Sequence, residues 1–90
     1  MTQFKPIQEI DLHGLRPEEA LRRLAQALHT ARLQGSRRIR VITGRGLGNP
    51  LQEPVLRQKV EAWLMGAQGV RAGARGFTVV SRGGALDVDL

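Results

Sequence analysis

The stretch "IDLHGLRPEEA", residues 10–20, decides how this chain reads. It continues an alternating apolar and polar run, "IQEIDL" from Ile7 to Leu12, which is the pattern of a strand with one covered face. Gly14 breaks that run. Pro17 then suits the first position of a helix, where its missing N–H costs nothing, and Glu18 and Glu19 follow in the turn where the helix dipole favours negative charge. A strand thus passes abruptly into a helix, and Asp11 and His13 flank Leu12 at the junction.

Beyond the junction, Ala20, Leu21, Leu24, Ala27, Leu28 and Ala31 recur at helical spacing, and Gly35 suits the residue after the last turn. "RIRVIT", residues 38–43, is rich in β-branched residues, with Ile39, Val41 and Thr43 on one face of a second strand. The loop "GRGLGNP" follows it. Pro54 opens a second helix in which Leu56, Val60, Trp63 and Leu64 make the buried face and Arg57, Lys59 and Glu61 the wet one, with Gly66 and Gly69 as its end. "FTVVS" and "ALDVDL" are strand-like, and the "RGG" between them supplies a tight hairpin, while "RAGARG" before them reads as a loop. The order β-α-β-α-β-β predicts an α/β two-layer sandwich: a four-stranded mixed sheet, both helices on one face and a right-handed first crossover. Residues 1–6 form an N-terminal tail and 7–90 a single domain, since 90 residues leave no room for a second core.

Composition narrows the function. Fourteen basic residues against eight acidic give a net charge of +6, and most of the bases are arginine, whose planar fork matches phosphate oxygens. The expected partner is a nucleic acid, RNA or DNA, rather than a membrane. Phe4, Trp63 and Phe77 are the only aromatics, too few for a platform on which successive bases stack. There is no cysteine, so neither a disulfide framework nor a thiolate metal site is available. No apolar run approaches the roughly 20 residues that span a bilayer, and the N-terminus lacks the apolar core of a signal peptide, so a cytoplasmic setting is expected.

Two loops carry the candidate chemistry. If the first two strands are parallel neighbours, "HGLRP" and "GRGLGNP" emerge side by side at strand C-terminal ends, where α/β sheets place ligands. On an extended strand Asp11 and His13 project to the same face, where the carboxylate would hold the imidazole's tautomer and raise its basicity. The alternative is structural: Asp11 caps backbone amides and His13 is a satisfied loop residue. In "TGRG", Thr43, Gly44, Arg45 and Gly46 combine glycines that allow close backbone approach to an anion with a guanidinium for the same phosphate. A dinucleotide fingerprint fails because position 49 is Asn, and a Walker-type loop fails for want of its GK[ST] ending. His29 is a helix-surface residue; Arg37, Arg38 and Arg40 form a basic cluster leading into the second strand; Asp87 and Asp89 make no convincing metal site.

Three segments in order, "IDLHGL" at 10–15, "VITGRGLG" at 41–48 and "GGALDVDL" at 83–90, resemble the Smr domain, the small MutS-related module. The resemblance spans about residues 7–90. It implies a compact α/β sandwich and nuclease activity on RNA, with DNA nicking also attributed to members, some of which act on mRNA at collided ribosomes. It implies cleavage by Asp11 and His13 as the D-x-H motif, and phosphate binding by Thr43, Gly44, Arg45 and Gly46 as the TGxG loop; Arg16, apart from the resemblance, is a further candidate nucleic-acid contact. Arg16 stands where the family often has a Ser or Thr cap, and the C-terminal glycine motif is shortened to "RGGALDV". The leading expectation is metal-independent RNA cleavage with no cofactor. Its rivals are a DNA-nicking endonuclease in which a divalent metal activates water, and a non-catalytic module gripping nucleic acid or a ribosomal surface.

Overall fold

A computed structural model describes residues 8–44 and 53–90. The order is β1 (Gln8–Asp11), α1 (Pro17–Leu33), β2 (Arg38–Ile42), α2 (Glu53–Met65), α3 (Ala67–Arg71), β3 (Gly76–Val80) and β4 (Ala85–Asp89), with a 3₁₀ turn at Ser81–Gly83. The expected four strands form one mixed sheet in the order β1-β2-β4-β3. β1 and β2 are parallel neighbours, as the two-loop argument required, and β4 runs antiparallel to both β2 and β3. The tail 1–6, Ile7 at the head of the first strand, and Arg45 and Gly46 lie outside the described residues.

Register explains the two layers. Ile10 pairs with Val41, Val41 with Leu86, and Ile39 with Val88, so one sheet face is an apolar stripe. Against it pack Ala20, Leu24, Leu28 and Ala31 of α1 and Leu56, Val60 and Leu64 of α2, all buried in a core that also takes Leu12. The opposite face carries Glu9, Arg40, Asp87 and Thr78 in one row. There Arg40 donates to both Asp87 oxygens, at 2.7 and 3.1 Å, and Arg38 to Asp89 at 3.0 Å. The aspartates of the last strand are therefore ion-pair partners across the β2–β4 ladder, and they neutralise two members of the basic cluster.

Helix ends follow local chemistry. Pro17 opens α1 with Arg16 as a cap residue that makes no side-chain cap bond. At the other end Gly35, at φ +78°, lets its N–H reach Arg32 O at 3.0 Å and that of Ser36 reach Ala31 O at 2.9 Å, a Schellman closure.

Two expectations need correction. Gly69 does not end the second helix; it sits inside α3, a short helix that takes in Arg71 of the "RAGARG" segment read as a loop. A Cβ on Gly69 would lie 2.5 Å from the carbonyl oxygens of both Trp63 and Leu64, so this glycine is there for close backbone packing. The short helix carries too few periodic apolar positions to register as a pattern. The final hairpin forms as expected, with Arg82 and Gly83 at φ 54° and 89°.

Candidate functional site

Asp11 ends β1 opposite Ile42, the last residue of β2. The pairing runs one residue further, with the Leu12 N–H donating to Ile42 O at 2.7 Å, and then the chain turns, with Gly14 at φ +78° and the Leu15 N–H donating to Leu12 O at 3.2 Å. His13 is therefore a turn residue and not, as expected, part of an extended strand. It meets Asp11 because the Asp11 carboxylate accepts the backbone N–H of His13 at 3.0 Å, a turn closed by an aspartate side chain. The same oxygen lies 2.6 Å from His13 Nδ1. The structural and the chemical readings of this pair thus describe one arrangement: Asp11 builds the turn and orients the ring.

Burial pushes the Asp11 carboxyl up. The His13 ring and backbone hydrogen bonds and the imidazole charge outweigh it, so the group titrates below its ordinary 3.8. Ionised at neutral pH, Asp11 is an acceptor only, and the proton between the two groups belongs to Nδ1. In the neutral ring the basic lone pair is then on Nε2. Both side chains face water, at 62% exposure for His13 and 54% for Asp11, so a ligand has access to them.

One strand over, Thr43 and Gly44 prolong β2 beside this turn. Thr43 is fully buried, and its hydroxyl has no hydrogen-bond partner among the described residues. Its N–H and that of Gly44 both donate to Gly84 O at 3.0 Å. These two amides tie the loop to the β3–β4 turn, and the expected use of the Gly44 amide on a phosphate meets a donor already engaged. Gly44 itself stands at φ +86°, a backbone conformation that glycine adopts without strain. Arg16 is exposed in extended backbone at the mouth of α1. His29 is exposed on α1.

Sequence reasoning passed over the third part of this edge. The turn Ser81–Gly84 abuts Gly44 through Gly84, and Arg57 of α2 donates to Gly83 O at 3.3 Å while lying 3.4 Å from Glu61. A separate groove between β1 and α1 is lined by Gln8, Glu19, Arg22, Arg23 and Gln34; Asp11 and His13 are not part of it. There Glu19 is held by Arg22 and Arg23, so its charges are mutually satisfied. Among the described residues no three His, Cys, Asp or Glu side chains gather as metal ligands, and no helix is long and apolar enough to cross a membrane.

Comparison with known proteins agrees with this architecture. The Smr domain model matches residues 10–90. The crystal structure of the Smr domain of Thermus thermophilus MutS2 superposes with a TM-score of 0.72 at 31% identity, covering 93% of this chain and 98% of that one. The solution structure of the SMR domain of NEDD4-binding protein 2 gives a TM-score of 0.65 at 30% identity, covering 100% of this chain and 92% of that one. No curated protein sequence matches. With the sheet, the D-x-H turn and the first residues of the TGxG loop in place, the chain belongs to the Smr domain family, a nucleic-acid-binding and nuclease-related module.

Proposed function

We propose that this Smr domain is an endoribonuclease in which His13 is the general base and Asp11 its orienter. The observation that carries the reading is the 2.6 Å contact between His13 Nδ1 and an Asp11 carboxylate held ionised, which leaves Nε2 as the basic nitrogen. His13 Nε2 takes the proton of a ribose 2′-hydroxyl, O2′ attacks the adjacent phosphorus, and the P–O5′ bond breaks as the departing oxygen takes a proton from water. Products are a 2′,3′-cyclic phosphate and a 5′-hydroxyl. A positioned base of this kind contributes about 10²–10⁴-fold to rate. Arg45, Gly46 and the exposed Arg16 hold the phosphate backbone, and guanidinium charge stabilises the developing phosphorane. Thr43 and Gly44 act through the backbone, anchoring that loop.

The test is end-labelled RNA and matched DNA incubated with wild type and with His13→Ala, each with and without chelator, with product ends identified. Cyclic phosphate ends that persist in chelator and vanish in His13→Ala support the reading. Chelator-sensitive nicking of DNA would transfer the pair to a metal-activated water. Unchanged binding with no cleavage of either substrate would leave a binding module.

A further inference from the structure

Arg82 is the only non-glycine residue at positive φ among the described residues, at φ 54° and ψ 38°. That left-handed conformation brings the side chain of an L-residue too close to its own carbonyl, a cost of about 1 kcal/mol that glycine avoids. A long, non-glycine side chain in such a position makes Arg82 a candidate for a functional contact. Its surroundings agree. Arg82 is exposed and has no hydrogen-bonding or acidic partner among the described residues, unlike Arg22, Arg23, Arg38, Arg40 and Arg57, each paired with a carboxylate.

The backbone beneath it is held firmly from two sides. Thr43 and Gly44 both donate to Gly84 O, and Arg57 donates to Gly83 O. The turn therefore presents Arg82 at the same sheet edge as Asp11 and His13, coupled directly to Thr43 and Gly44. Only β2 separates β1 from β4, which puts the two turns about 10 Å apart at the spacing of neighbouring strands. That separation leaves room for a second phosphate of the same backbone beside the one at His13.

We infer that Arg82 is a second phosphate-contacting point, presented by the β3–β4 turn, that fixes the nucleic-acid backbone beside the phosphate at His13. The inference rests on the nucleic-acid reading above, and its test separates the two. A fluorescein-labelled RNA hairpin is titrated by anisotropy over a salt series with wild type, Arg82→Gly and Arg82→Gln, and each protein is melted thermally. Arg82→Gly relieves the backbone strain, so it melts at or above the wild-type temperature while binding several-fold more weakly, with a salt slope reduced by about 0.9 for one lost phosphate contact. Arg82→Gln keeps a side chain on the same backbone and shows the same loss of slope. If wild type binds and both variants match it in affinity and slope, the inference is overturned while the nucleic-acid reading stands. If wild type itself fails to bind, both fall together.

Discussion

Asp11 holds His13 at two points with one oxygen: Oδ1 accepts the His13 backbone N–H at 3.0 Å and faces ring Nδ1 at 2.6 Å. The first contact shapes the turn and the second sets the ring, so one carboxylate both closes the turn and, in the proposed reaction, orients the base.

Asp11→Asn separates these duties. An amide oxygen still accepts the backbone N–H, so the turn survives, but the side chain loses the charge that favours the imidazolium. The variant is expected to fold normally and to cleave RNA at least tenfold more slowly, with RNA affinity retained. Single-turnover cleavage and anisotropy on the same samples check it; an undiminished rate would remove Asp11 from the chemistry.

The Arg40–Asp87 pair is expected to contribute to stability against acid. The Arg40 hydrogen bonds lower the Asp87 carboxyl below its ordinary 3.8; burial opposes them, and the Arg40 and Arg38 charges reinforce them. The folded-state value is thus depressed relative to the unfolded chain, so the contribution is complete above the unfolded value and is lost as pH falls through the folded one. Urea unfolding from neutral pH down to about pH 3 should show stability declining on the acid side, where the unfolded chain takes up protons first. Asp87→Asn should lower stability at neutral pH and flatten that decline. An acid slope identical to wild type would show the pair to be idle.

Gly69 tests the reassigned third helix. A Cβ there would sit 2.5 Å from the Trp63 and Leu64 carbonyl oxygens and 2.6 Å from Leu64 Cα, all backbone atoms that cannot swing aside. Gly69→Ala should destabilise the fold by about 1–3 kcal/mol in urea unfolding. Gly66→Ala, whose nearest contact would be 3.3 Å, should cost much less.

Thr43→Val asks what the buried hydroxyl does. Because Oγ1 has no partner among the described residues, exchanging it for a methyl removes a desolvation cost, and stability should hold or rise. Cleavage should be unchanged if Thr43 serves through its backbone N–H alone. Loss of activity in a protein that melts normally would place the hydroxyl on the substrate.

Much of the frame was legible because it depends on local periodicity. The apolar spacing from Ala20 to Ala31, the alternation in "RIRVIT", Pro17 at a helix start and Gly35 at its end each carry their own physical cause in neighbouring residues. The five-residue α3 was not legible, since it spans little more than one turn and its glycine is selected by a carbonyl contact with the preceding helix. Asp87 and Asp89 pointed to no partner in the sequence, because Arg40 and Arg38 become their neighbours only through the antiparallel register of β2 and β4.

The same division runs through the candidate site. Residue order alone placed Asp11 and His13 at a strand end and the TGRG loop after the next strand, since both follow from short-range pattern. Three things needed the folded chain. His13 reaches Asp11 through a turn, where the backbone N–H and the ring share one oxygen. The Thr43 and Gly44 amides are committed to Gly84 O, a hydrogen bond across strands far apart in sequence. Arg82 arrives at that edge only because β4 lies beside β2, a pairing set by burying Leu86 and Val88 against Val41 and Ile39 rather than by anything in the turn itself.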